Sequence, residues 1–214
     1  MAKSPDTRQS LSMRRRTAVA ALVGTLGVLG AAAALLLADR DRHAPDRTAT
    51  SGTAAIGGSF ALTAADGSTV TDRDFLGRPF LIFFGFATCP DVCPTTLATV
   101  GTALEALAED EQIDALFVTL DPERDTPETA QHYAEAFHPG ITGLGGTQAQ
   151  IDTATSAYRV YAARVPLEDS ALGYTIDHSA FVYLMGADGT YRQHFSPVSA
   201  ASEITQAVRA ELES

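Results

Sequence analysis

Apolar and polar positions divide the chain into four zones. Residues 1–16 are polar and end in Met13-Arg14-Arg15-Arg16. Thr17 to Ala38 then runs 22 residues without a charge, rich in Ala, Leu, Val and Gly. A helix of about 20 apolar residues spans a bilayer, so residues 17–38 are predicted to form a transmembrane signal anchor. Arginines ahead of such a span keep the N-terminus in the cytoplasm. That places everything after Asp39 on the outer face. A cleaved signal peptide is the competing reading, although its apolar core is usually shorter, about 7–15 residues. No Cys ends the run, which excludes a lipoprotein anchor. Residues 39–57 are mostly Asp, Arg, Thr, Ala and Gly and read as a flexible linker. From residue 58 to 214 the pattern is that of one folded domain.

Within that domain strands and helices alternate. Ser59 to Thr63 alternates like a strand, Asp66-Gly67 is a turn signal, and Thr69 to Thr71 is the return. Phe80 to Phe86 is apolar at every position, as is Ala115 to Leu120 apart from Thr119, so both are predicted to be strands buried on two faces. A helix follows the first, from Thr95 to Ala108. Another follows the second, with Thr126 as cap and Pro127 in the first helical position. Ile141 to Leu144 is a short strand, Thr147 to Ala157 a helix, and Tyr158 to Val165 a strand. Ser179 to Met185 turns at Ala187-Asp188-Gly189 into Tyr191 to Phe195, and Ser199 to Leu212 closes as a helix. This order predicts an α/β layer fold with a mixed sheet.

Charge narrows the function. Seven of the 15 Lys/Arg and three of the 26 Asp/Glu lie in residues 1–43, leaving eight against 23 in the remainder. A domain this acidic lacks the positive footprint that nucleic-acid binding needs.

The two cysteines of the chain stand together in Cys89-Pro90-Asp91-Val92-Cys93-Pro94. They lie where the buried strand gives way to a helix, the end of an open sheet where sites collect. Side chains four apart share one helical face, which suits two sulfurs converging on a metal or closing a disulfide. Helix-start N–H groups favour thiolate over thiol.

Of five histidines, His43 is in the linker, His132 and His138 read as solvated, and His194 falls in the last strand. His178 lies in a turn, Tyr174 to Ser179, just before an apolar strand. In a thioredoxin-like sheet that position faces the cysteine loop, so His178 is the candidate third ligand. Asp177 beside it is a candidate to orient the ring. Two thiolates and one imidazole make a soft, three-donor site; thiolates select copper(I), zinc or iron–sulfur chemistry, and the set is similar to trigonal sites that host copper(II). Structural zinc usually takes four ligands, and no fourth is evident.

Three stretches, Gly85-Phe-Ala-Thr-Cys89-Pro-Asp-Val-Cys93-Pro, Asp121-Pro-Glu-Arg-Asp-Thr-Pro127-Glu and Asp177-His178-Ser, together resemble the Sco/SenC family. The resemblance spans about residues 58–212 and the anchor arrangement. It implies a membrane-anchored copper chaperone of thioredoxin-like fold, an α/β mixed sheet flanked by helices. Its copper ligands would fall on Cys89, Cys93 and His178. Its partner would be cytochrome c oxidase subunit II or another copper protein, loaded with copper or kept reduced at its cysteines. One departure is Ala87-Thr88, where the family often carries a Thr-His or similar pair. For Asp121 to Pro127 the residues give a strand exit and a helix cap.

A thiol–disulfide oxidoreductase is the main alternative, with Cys89 and Cys93 as its redox pair. Against it, redox thioredoxins use C-x-x-C and a cis-proline where this chain has His178-Ser179-Ala180. A peroxidase would need Thr88 and Arg124 around Cys89, without its surrounding motif. Chaperoning implies no turnover of a small substrate.

Overall fold

The computed structural model describes residues 56–168 and 170–214. The anchor predicted at 17–38 lies outside the described residues. Among those described, no helix is long and apolar enough to cross a membrane.

Among the described residues, nine strands and four α-helices follow one another: β1 (Ala61–Thr63), β2 (Thr69–Thr71), β3 (Phe80–Gly85), α1 (Val92–Glu105), β4 (Asp114–Thr119), α2 (Pro127–Glu135), β5 (Ile141–Leu144), α3 (Gln148–Tyr158), β6 (Ala162–Pro166), β7 (Tyr174–His178), β8 (Val182–Met185), β9 (Tyr191–Phe195) and α4 (Ala201–Leu212). The central sheet runs β5-β4-β3-β8-β9. β3, β4 and β5 are parallel, and β8 and β9 add antiparallel. This is the mixed sheet the sequence predicts. β3 lies in the middle, with all six residues buried. That explains its unbroken apolar run, since covered strands have no solvent face.

The ends of the elements follow local chemistry. Thr126 accepts a hydrogen bond from the Thr129 N–H at 3.2 Å and Pro127 opens α2, as expected. Helix α2 packs so closely on the sheet that a Cβ on Gly143 would lie 2.3 Å from the Ala130 backbone. Helix α1 begins at Val92, three residues before the predicted Thr95. Pro94 therefore sits in the first turn, where its missing N–H would have had no partner.

Three further expectations differ from the structure. Tyr158 is predicted to open a strand, but it is the last residue of α3. Its ring is buried against Phe84 and Tyr183 at 5.4 and 5.9 Å between centroids, and Arg159 ends the helix at φ 56°. The strand predicted from Ser179 starts only at Val182, because Ser179 still belongs to the preceding hairpin through its N–H to the Tyr161 carbonyl. The segment Tyr174 to His178, predicted as a turn, is strand β7. It pairs antiparallel with β6 in a two-stranded sheet of its own, with Ala162 opposite His178.

Candidate metal centre

Each candidate ligand is placed by a different device. Cys89 stands in the loop beyond β3, its N–H donating to the Phe86 carbonyl at 3.1 Å. Cys93 is in the first turn of α1. The two cysteines are therefore not on one helical face: the chain bends through Pro90 and Asp91, and only Cys93 is helical. Cys93 is fully buried and Cys89 partly exposed. Gly85 makes room for the inner sulfur, since a Cβ there would come within 2.8 Å of Cys93 Sγ.

His178 arrives on the separate hairpin. In β7 the odd and even positions face opposite ways. Tyr174, Ile176 and His178 share the face that buries Ile176, while Asp177 is on the other face and exposed. Asp177 therefore does not orient the ring. The Ile176 carbonyl does, lying 3.4 Å from His178 Nδ1, and the edge of Phe86 meets the ring at 5.7 Å. With the Nδ1 proton given to that carbonyl, Nε2 carries a free lone pair. Nε2 is 3.7 Å from Cys93 Sγ.

That spacing is informative. Thiolate and imidazole bonds to zinc, an ion of similar size, measure about 2.3 and 2.0 Å. At a 120° angle those lengths separate sulfur from nitrogen by about 3.7 Å. Cys93 and His178 thus stand at the separation of two ligands of a trigonal ion. Among the described residues, no group of three His, Cys, Asp or Glu is arranged as a ready metal cage. Cys89, the third candidate donor, stands in the loop ahead of the helix that carries Cys93.

Electrostatics suits ligation. The Cys89 thiol is pulled down to about 5, chiefly by the hydrogen bond from Cys93. The Asp91 and Cys93 N–H groups assist, against the cost of partial burial. The same hydrogen bond, together with burial, pushes Cys93 upward. Cys93 therefore holds its proton more tightly than Cys89. Burial lowers His178 below its ordinary 6.5, so the ring is neutral and able to ligate near neutral pH.

The turn after β4 carries residues that the sequence explains only as a strand exit and a helix cap. Asp125 is buried and accepts from the Ala87 N–H at 2.8 Å and the Thr119 hydroxyl at 2.7 Å. It thereby ties down the chain two residues before Cys89. Burial raises its pKa. Asp121, also buried, accepts from the Tyr174 hydroxyl at 2.7 Å and from Arg124 Nε. A helix cap accounts for Thr126 alone. The signal available in the sequence is three carboxylates in one turn beside apolar strands, Asp121, Glu123 and Asp125, any of which must be paired if buried.

A family model described as SCO1/SenC matches residues 48–213. The chain belongs to the SCO1/SenC family. The human protein SCO1 homolog, mitochondrial, is 35% identical over 95% of this chain and 66% of its own length. ScoI of Bradyrhizobium japonicum, solved with copper bound, is 42% identical. It covers 73% of this chain and 99% of its own, with a TM-score of 0.67. Yeast Sco1, also solved with copper bound, is 33% identical over 75% of this chain and 90% of its own, with a TM-score of 0.68. The SCO1/SenC match covers all three candidate ligands and the Asp121–Asp125 turn.

Proposed function

We propose that this SCO1/SenC protein is a membrane-anchored copper chaperone acting in cytochrome c oxidase assembly. Copper is its cargo, held by Cys89, Cys93 and His178. The observation that carries this reading is the 3.7 Å approach of His178 Nε2 to Cys93 Sγ, with the acidified Cys89 beside them. Copper-bound relatives of the same fold support it. On metal arrival, Cys93 gives up its proton and both sulfurs become thiolate ligands. Cys89 is the ligand an incoming protein reaches first, so exchange starts there while Cys93 and His178 still hold the ion. The recipient is the copper centre of oxidase subunit II. Residues 17–38 anchor the chain, with its N-terminus in the cytoplasm and the domain on the outer face.

A second activity follows from the same asymmetry. Cys89 thiolate can attack a recipient's disulfide, releasing one recipient thiolate and forming a mixed disulfide. Cys93 then attacks Cys89 Sγ and frees the second thiol. Two electrons pass to the recipient, and Cys89 and Cys93 end as a disulfide. This would keep the recipient's cysteines ready for copper.

The test is copper titration of the reduced full-length chain in detergent. One copper per chain is expected, with sulfur-to-copper(II) absorption bands that His178→Ala removes. No stoichiometric copper, with rapid reduction of a test disulfide, would leave only the oxidoreductase. Protease added outside intact cells should digest the domain, and resistance there would overturn the orientation.

A further inference from the structure

The hairpin that delivers His178 is not hydrogen-bonded into the central sheet. Its ladder joins β6 only to β7. Something else must fix the imidazole against Cys93, because a metal site tolerates only about 0.5 Å of misplacement. The fastening lies at the other end of β7. The Tyr174 hydroxyl donates to Asp121 Oδ1 at 2.7 Å. Arg124 donates from Nε to Asp121 and from Nη1 to the carbonyls of Tyr174 and Leu172, at 3.1 and 3.4 Å. The guanidinium groups of Arg124 and Arg164 stand 3.8 and 4.0 Å from the Tyr174 ring centre. Arg164 also pairs with Glu123 at 2.8 Å. Together these contacts fasten the hairpin to the turn 121–125.

That turn holds the cysteine loop as well, through Asp125 and the Ala87 N–H. One short segment therefore grips both halves of the ligand set. Tyr174 lies on the same face of β7 as His178, four residues away, so a shift at its foot is transmitted along the strand to the ring.

Building on the copper reading above, we propose that Tyr174 and Asp121 are positioning residues that set His178 against Cys93 by clamping the hairpin to the turn after β4. Neither touches the metal. Buried Asp121 is the fixed point, and the Tyr174 hydroxyl is the contact that registers the hairpin upon it.

The test is a double-mutant cycle on the reduced full-length chain in detergent, with copper(I) affinity measured against a chromophoric chelator. Tyr174→Phe keeps the ring and its two guanidinium neighbours and removes only the hydroxyl, so the domain remains folded. Loss of an outer partner of a ligating histidine typically costs 10–100-fold in affinity. We expect a drop of about 10-fold or more in Tyr174→Phe. We also expect its sulfur-to-copper(II) absorption bands to weaken, toward the loss expected in His178→Ala. The double variant should bind no more weakly than His178→Ala alone, since the clamp acts only through the ring. Wild-type affinity in Tyr174→Phe, or a double variant that loses the product of the two single effects, overturns the clamp and leaves the ligand set standing. Unchanged affinity in His178→Ala overturns the ligand set itself, and the clamp with it.

Discussion

Gly85 is the most exposing place to perturb the centre, because its missing side chain is the space that Cys93 Sγ occupies. A Cβ built there lies 2.8 Å from that sulfur and 3.1 Å from ring carbons of both Phe83 and Phe117. Ordinary contact starts near 3.4 Å, so in Gly85→Ala the sulfur must retreat by about 0.6 Å. It cannot slide freely, since Cys93 and both rings are buried. Overpacking a core costs about 1–3 kcal/mol, and the stiffer unfolded chain returns about 0.4–1 kcal/mol. A net loss of about 1–2 kcal/mol lowers the melting temperature of a domain this size by about 2–8 °C. The same displacement exceeds the tolerance of about 0.5 Å for a ligand set. Copper(I) affinity, measured by chelator competition, should therefore fall at least about tenfold. Gly101→Ala is the control. Its Cβ would meet the Phe137 carbonyl at 2.8 Å and His138 Cβ at 3.2 Å, a comparable clash with no site sulfur among its near contacts. It should lose stability and keep copper. Wild-type affinity in Gly85→Ala, or an equal loss in Gly101→Ala, would refute the reasoning.

Other outcomes follow from the same geometry. In the reduced, metal-free protein, iodoacetamide should modify Cys89 alone, with a rate half-maximal at about pH 5, since Cys93 is sealed from solvent. A midpoint near the ordinary thiol value, or labelling of Cys93 in the folded chain, would contradict the assignment. Burial depresses His178, so the unfolded chain binds the proton more readily than the folded one. The wild type should therefore lose stability relative to His178→Ala as pH falls through about 6.5, read from melting curves. A gain in that window would reverse the sign. Asp125→Ala strands two donors, the Ala87 N–H and the Thr119 hydroxyl, and should cost about 2–4 kcal/mol in denaturant unfolding. Gly143→Ala drives a Cβ into the backbone of α2 and should cost about 3 kcal/mol or more. A change within error in either would show that these contacts do not carry stability.

The central sheet is legible in the sequence because buried strands leave a plain signature. Phe80 to Gly85 and Ala115 to Leu120 are apolar almost without interruption, and the structure places them side by side. The cap Thr126 rests on local chemistry that a few residues specify. The cysteines read as a site from their spacing, and the imidazole from its place before a strand. How the imidazole gets there is not encoded so locally. Tyr174 to His178 is only five residues long, too short a run to tell a strand from a turn. Its partner β6 is mostly exposed. A turn at this place leaves open which neighbours share the His178 face, and adjacency alone points to Asp177 rather than to the Ile176 carbonyl. The Asp121–Asp125 clamp depends on contacts across 38 and 53 residues of sequence. No local pattern encodes a pairing at that range.

The ligand set is the central claim, and X-ray absorption of the copper(I)-loaded full-length chain examines it directly. The copper should be surrounded by two sulfurs at about 2.3 Å and one imidazole nitrogen at about 2.0 Å. His178→Ala should remove the nitrogen and leave both sulfurs. A copper without two sulfur neighbours, or one whose nitrogen persists in His178→Ala, would contradict the assignment of Cys89, Cys93 and His178 as its ligands.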